Sequence, residues 1–264
     1  MPRLVETLSQ NFPRPHAFAT LAAFCGGKAL SHQRKQSMTM QQSYPVNEIF
    51  QSIQGEGYFT GVPAIFIRLQ GCQVGCSWCD TRHTWHIDPD KQVASTQVLD
   101  RSSASECWAD MTTEQICQAL RQLGYTARHV VLTGGEPCLY DLRQLSRALL
   151  ELGYQVQIET SGTATIQADS ACWVTLSPKI GMKGGLPILD SALQREQAIK
   201  HPVAMEKHIH ELDHLLARCQ QGAGKVICLQ PISQQRRATE LALEVCLQRN
   251  WRLSVQLHKY LQVD

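Results

Sequence analysis

Three thiols fall within eight residues, Cys72-Gln73-Val74-Gly75-Cys76-Ser77-Trp78-Cys79, at a C-x3-C-x2-C spacing. Gly71 and Gly75 let the backbone turn tightly around them. In a chain with no other mark of secretion, cysteines this close point to a metal site rather than to disulfides. Zinc ordinarily takes four protein ligands, and a four-iron cluster takes four thiolates. A local set of three therefore leaves one coordination position for something else. If the site is a cluster, one iron is open to a small molecule.

Other polar groups recur where apolar runs end. Gly134-Gly135-Glu136-Pro137 follows His129-Val130-Val131-Leu132-Thr133, and Glu159-Thr160-Ser161-Gly162 closes Val156-Gln157-Ile158. Ser177-Pro178-Lys179 follows Trp173-Val174-Thr175-Leu176, and Gln230-Pro231 follows Val226-Ile227-Cys228-Leu229. Each reads as a plain turn, for which glycine and proline suffice, or as a source of hydrogen bonds for a polar ligand. Arg68 stands inside the apolar run 64–69, just before the cysteines. A buried guanidinium needs an anion or a carboxylate beside it.

The elements that must carry these groups follow from periodicity. The short apolar runs read as buried strands with helical stretches between them. Thr112-Thr113-Glu114-Gln115 is a capping box, Ile116, Ala119, Leu120 and Leu123 form the face behind it, and Gly124 ends the helix. Leu142, Leu145, Leu149 and Leu152 mark a second helix, Ile209, Leu212, Leu216 and Cys219 a third, and Leu241, Ala242, Val245 and Cys246 a last one. A final strand is expected near 253–257, and 86–111 reads as an irregular insertion. Strands alternating with helices predict an α/β fold on a mainly parallel sheet. About six parallel strands fall short of a closed eight-stranded barrel. The expectation is a partial, open (β/α) barrel with polar groups collected at the C-terminal edge of its strands.

Composition bounds the rest. The 264 residues are 43% hydrophobic and 18% charged, as in a globular chain. No run nears the roughly 20 apolar residues of a membrane span. Eleven cysteines argue for a reducing, cytoplasmic setting, and most of the eight outside the triplet read as small buried hydrophobes. A net charge of +2 gives no electrostatic footprint for nucleic acid. Residues 1–43 lack a helix or strand period. They are expected to be a disordered leader or a misassigned start, with Met38 or Met40 as the initiator. A targeting peptide is the other reading. The folded domain is expected at 44–264.

The cysteine loop, with Trp78 before its last thiol and Gly-Gly-Glu-Pro beyond, resembles the radical S-adenosylmethionine (SAM) enzymes. The run Gln51-Ser52-Ile53-Gln54-Gly55-Glu56-Gly57-Tyr58-Phe59-Thr60-Gly61, Cys79-Asp80-Thr81 and the strand-end groups together are narrower than that superfamily. From about Tyr44 to His258-Lys259-Tyr260 the chain is similar to the enterobacterial type of 7-carboxy-7-deazaguanine synthases, which serve the biosynthesis of queuosine and other 7-deazapurines. The resemblance implies a carbon–nitrogen lyase that converts 6-carboxy-5,6,7,8-tetrahydropterin to 7-carboxy-7-deazaguanine with loss of ammonia, using SAM catalytically. It implies a [4Fe-4S] cluster on Cys72, Cys76 and Cys79, its open iron taking the amino and carboxylate groups of SAM. SAM would be held by Gly135, Glu136, Ser161, Ser177, Pro178, Lys179 and Gln230. The substrate pocket would be Ile53, Gln54, Gly55, Arg68 and Thr133, with Glu56 and His258 as further candidates. Thr81, otherwise a loop cap, would carry Mg2+. An electron donor such as flavodoxin and a homodimer are implied as well. Two other readings stand beside this one, a radical SAM activase of a partner enzyme and a zinc-stabilised binding module.

Overall fold

Alternation along each strand decides which way its side chains face. The computed structural model describes residues 42–100, 106–219 and 225–262, so the leader reading falls almost wholly outside them. β1 (Ser43–Ile53) and β2 (Pro63–Leu69) form an antiparallel pair in which Glu48 stands opposite Arg68. On β2, Ile65, Ile67 and Leu69 are fully buried in the core, while Phe66 and Arg68 point to the other face. The split recurs on β4 (His129–Gly134), β5 (Gln155–Thr160), β7 (Ala198–Val203) and β8 (Val226–Pro231). One face carries Val130, Leu132, Val156, Ile158, Ile199 and Leu229, all in the apolar cores. The other carries Thr133, Glu159, Lys200 and Gln230, which line a cavity. A strand with one apolar and one polar face needs a partner layer on the first and leaves the second for a site.

Among the described residues the sheet has nine strands in the order β3-β1-β2-β4-β5-β6-β7-β8-β9, with β3 (Ala109–Thr112), β6 (Trp173–Leu176) and β9 (Arg252–Leu253) completing the set. From β2 onward every pairing is parallel, while β1 runs antiparallel to both β2 and β3. The parallel part is thus six substantial strands and the two-residue β9, and the sheet is not closed. The partial-barrel expectation holds.

Helices cover the apolar face. α1 (Ser95–Val98) is a single turn, and α2 (Thr113–Leu123) starts on the expected capping box. There, Gln115 N donates to Thr112 Oγ1 at 3.3 Å and Thr112 N donates to Gln115 Oε1 at 2.8 Å. α3 (Arg143–Glu151), with α2, closes one core against β1, β2, β4 and β5. α4 (Asp190–Arg195), α5 (Glu206–Arg218) and α6 (Arg236–Arg249) close a second core over β6, β7 and β8. Among the described residues no helix is long and apolar enough to cross a membrane.

Two expectations fail. Residues 86–111 are not merely irregular, because their end forms most of β3, which adds an antiparallel edge by pairing with residues 43–46. The final strand is also shorter than expected. It stops at Leu253, after which Ser254 N donates to Leu229 O and the chain turns into α7 (Leu257–Leu261). Of the cysteines outside the triplet, Cys117, Cys138, Cys172, Cys228 and Cys246 are buried thiols, as read.

Candidate active site

The cysteine loop leaves the C-terminal end of β2 and is held by main chain on two sides. Gly71 N donates to Thr84 O at 2.7 Å and Cys72 N to Trp85 O at 2.9 Å. From β4, Gly135 N donates to Leu69 O at 2.9 Å and Glu136 N to Gly71 O at 2.8 Å. A Cβ on Gly135 would lie 2.1 Å from Gly71 O, and Gly134, at φ +125°, would put one 2.2 Å from Leu69 O. The two glycines are therefore required because two loops meet backbone to backbone. This explains Gly-Gly without reference to any ligand.

Burial is the first cause that pushes the Cys72 and Cys76 thiols above the usual range. A metal bound there would supply the charge that keeps them as thiolates. Cys79 accepts an N–H···S bond from Trp85 Nε1 at 3.3 Å, and Thr81 Oγ1 lies 3.6 Å from the same sulfur. Thr81 precedes a short 3-10 turn (Arg82–Thr84), yet its side chain makes no capping bond there. Its reading as a loop cap is thus set aside. Among the described residues no three His, Cys, Asp or Glu side chains stand close enough to share one metal ion. A cluster instead distributes its thiolate ligands over several irons, and three thiols lining one cavity fit that demand.

That cavity, about 480 Å³, lies at the C-terminal edge of the parallel strands. Its lining brings together Ile53, Gln54, Gly55, Glu56, Arg68, Thr133, Gly135, Glu136, Ser161, Ser177, Lys179, Gln230 and His258 with Cys72, Cys76, Cys79 and Thr81. Of the expected site residues only Pro178 is not among them. It lines a neighbouring cavity of about 380 Å³ with Gly75, Ser77 and Trp78, because consecutive residues of an extended segment point to opposite sides.

The contacts give several of these residues definite tasks. Glu136 is buried, and its carboxylate accepts from Cys138 N at 3.0 Å, from Thr160 Oγ1 and Ser161 N at 2.7 Å each, and from Ser161 Oγ. It fastens the end of β4 to the end of β5. Arg68 Nε donates to Glu48 Oε1 at 2.6 Å, with the guanidinium carbon 5.6 Å from the Phe50 ring centre. The carboxylate that Arg68 requires is thus supplied by its cross-strand neighbour. Ser177 Oγ accepts from Lys179 Nζ at 2.6 Å, and burial, reinforced by Lys200, pushes the Lys179 ammonium below the ordinary lysine range.

Sequence reasoning missed the centre of the cavity floor. Lys200 Nζ lies 2.6 Å from Glu56 Oε2 and 2.9 Å from Glu159 Oε2. Glu56 Oε1 also accepts from Gln256 Nε2 at 2.8 Å and Gln230 Nε2 at 3.2 Å. Glu159 Oε1 accepts from Gln157 Nε2 at 2.7 Å, and Gln157 bonds Gln54, His129 and Thr175. Burial works to raise the Glu56 carboxyl, but Lys200 outweighs it and holds it at about 2. For Glu159 burial wins over Lys200, and its pKa is raised. Burial opposes the charged form of Lys200, yet Glu159 and Glu56 together hold it above the ordinary lysine range. The available signal was slight, a lysine directly after the apolar pair Ala198-Ile199, with His201 and Pro202 behind it. His83 was missed too. It lines the cavity with a buried Nε2 that has no partner among the described residues.

Comparison with known proteins agrees with this geometry. The family model described as the Radical SAM superfamily matches residues 66–170. The 7-carboxy-7-deazaguanine synthase of Escherichia coli (strain K12) is 52% identical over 220 residues, covering 83% of this chain and 99% of that protein. The synthase of the same name from Buchnera aphidicola subsp. Schizaphis graminum is 43% identical over 220 residues, with the same coverage. The crystal structure of QueE from Escherichia coli superposes with a TM-score of 0.80 at 52% identity, covering 82% of this chain and 95% of that one.

Proposed function

The chain belongs to the 7-carboxy-7-deazaguanine synthase family of radical SAM enzymes, and on that premise we propose how its residues divide the work. It is a synthase of queuosine biosynthesis, and the reaction is the ring contraction of 6-carboxy-5,6,7,8-tetrahydropterin to 7-carboxy-7-deazaguanine with release of ammonia. The observation that carries the reading is a single cavity lined both by the three thiols and by the Arg68 guanidinium.

Cys72, Cys76 and Cys79 hold the [4Fe-4S] cluster. When bound, the cluster and SAM supply the one-electron chemistry that removes hydrogen from C6 of the pterin and later returns it. The remaining tasks belong to the chain's own residues. Gly135 and Glu136 bring main chain to the amino group of SAM, and Ser161 reaches its carboxylate. Ser177, Lys179 and Gln230 take its carboxylate, ribose or adenine side, while Pro178 shapes the turn between the first two. Arg68, oriented by Glu48, offers its Nη fork to the substrate carboxylate, a bidentate geometry well suited to that group. Ile53, Gln54, Gly55, Glu56 and Thr133 line the rest of the substrate's place, with His258 closing it from α7. The Thr81 hydroxyl, free of a capping duty, is a hard oxygen donor suited to Mg2+ beside that carboxylate.

We extend the proposal to a cytoplasmic enzyme, reduced by a donor such as flavodoxin and assembled as a homodimer. Leu243 and Leu247, exposed one turn apart on α6, support an apolar contact between copies.

Anaerobic incubation of the cluster-loaded protein with the carboxytetrahydropterin, SAM, Mg2+ and a reductant tests the assignment. The expected result is 7-carboxy-7-deazaguanine and an equivalent of ammonia, with SAM not consumed in proportion. A protein with full iron and sulfide content that forms neither product overturns it.

A further inference from the structure

Two buried carboxylates side by side are costly unless a cation separates them, since like charges in a shared site force one of them to take a proton. The cavity floor has such an arrangement, with Lys200 between Glu56 and Glu159. Lys200 is itself buried, at 7% exposure, and both of its carboxylate partners face the cavity with it. A lysine serving only to stabilise the fold has no need to stand where the ligand must go.

Counting lone pairs shows what remains on offer. Glu56 accepts three hydrogen bonds, from Lys200, Gln256 and Gln230, and Glu159 accepts two, from Lys200 and Gln157. An ionised carboxylate has about four acceptor sites, so acceptor capacity is left on both, most of it on Glu159. A row of acceptors with a net charge of −1 suits a neutral edge rich in N–H donors. The 2-amino-4-oxo-pyrimidine half of a pterin is such an edge, and the substrate's carboxylate would meet Arg68 on β2, across the cavity from β7.

We infer that Lys200 is a positioning residue that sets substrate specificity, holding Glu56 and Glu159 side by side as acceptors for the amino-pyrimidinone edge of the pterin. The inference rests on the pterin reading above. Without the ammonium, the two carboxylates share a proton, and one presents a donor to a ligand edge that is itself made of donors. Lost discrimination against the amino group, rather than a general loss of affinity, is the signature of such a role. A site built to hydrogen-bond a group ordinarily rejects an analogue lacking it far more strongly than an apolar site rejects a changed shape.

The test compares 6-carboxypterin with 6-carboxylumazine, in which an oxo acceptor replaces the 2-amino donor. Equilibrium binding to the cluster-loaded protein is measured by calorimetry under anaerobic conditions. The wild type is expected to prefer the pterin by on the order of 10⁴-fold. In Lys200→Met that ratio is expected to fall below about tenfold, with iron content kept, and Lys200→Arg is expected to restore part of it. Should Lys200→Met not fold, Lys200→Gln, which can still hydrogen-bond both carboxylates but carries no charge, takes its place and is expected to give the same collapse. An unchanged ratio in whichever variant folds overturns the inference, because a purely structural lysine would weaken both ligands alike. A wild type that binds neither ligand contradicts the pterin reading itself.

Discussion

The two ends of the cavity are built on different principles. At the cysteine end, the three thiols and Thr81 come from ten consecutive residues, and the main chain of Gly135 and Glu136 locks that loop in place. At the floor, Glu56, Glu159, Lys200, Gln230 and Gln256 come from five separate segments, and the bond between Gln256 and Glu56 joins residues 200 positions apart. The first is a local device that a short sequence can specify. The second exists only once the sheet has its register. The contrast suggests a division of labour, with radical chemistry housed in the local end and choice of substrate in the assembled one.

The largest effect expected is from Cys76→Ala. It removes one of the three thiolates and should abolish the visible absorption of the cluster and all SAM cleavage, as iron analysis and 5′-deoxyadenosine assays would show. Gly135→Ala should come close to it. Its Cβ would meet Gly71 O at 2.1 Å, so the cysteine loop must shift, and most of the iron should be lost while the far end still folds. Iron content equal to wild type would show that the two loops do not depend on one another. On the assembled side, Arg68→Ala should leave the cluster spectrum intact and raise KM about 30- to 100-fold, the worth of charge-assisted hydrogen bonds. An unaltered KM would show that Arg68 does not hold the substrate's carboxylate.

A subtler effect should appear with pH. The Glu56 carboxyl is held at about 2 in the folded chain against an ordinary value of 4.5. A depressed folded-state pKa stabilises above the unfolded value and is lost as pH falls towards the folded one. Glu56→Gln should therefore lower the thermal midpoint near neutrality, and its difference from wild type should shrink between pH 5 and pH 3. A difference that stays constant over that window would show that Glu56 is not ionically coupled. Smallest of all, Thr112→Ala should cost about 1 kcal/mol through the lost cap of α2. Chemical denaturation would measure this, and the cavity should be untouched.

What could be read from the sequence follows the same divide. The capping box at Thr112 and Gln115, the Gly124 stop and the cysteine spacing are local, so the residue types suffice. The need of Arg68 for a carboxylate was legible, but not that Glu48 would meet it, because the pairing depends on an antiparallel register with an irregularity between Val46 and Glu48. β3 escaped because Ala109-Asp110-Met111-Thr112 is too short to show a period and its partner lies more than sixty residues earlier. Lys200 belongs to no motif that the sequence displays. Its meaning comes from Glu56 and Glu159, which reach it across a parallel sheet whose order no local pattern encodes.

The position of Gln256 also fixes an order of events. A chain emerging N-terminus first would have its cysteine loop and the glycines that brace it when little more than half of its length has been made. The bond from Gln256 to Glu56, the main-chain bond from Leu257 to Gly55 and the docking of Ser254 on β8 wait for the last dozen residues. A product cut short before residue 254 would carry the thiols for its cluster beside an unfinished floor. The thiols and the main chain that braces them are thus laid down well before the floor that closes the other end of the cavity.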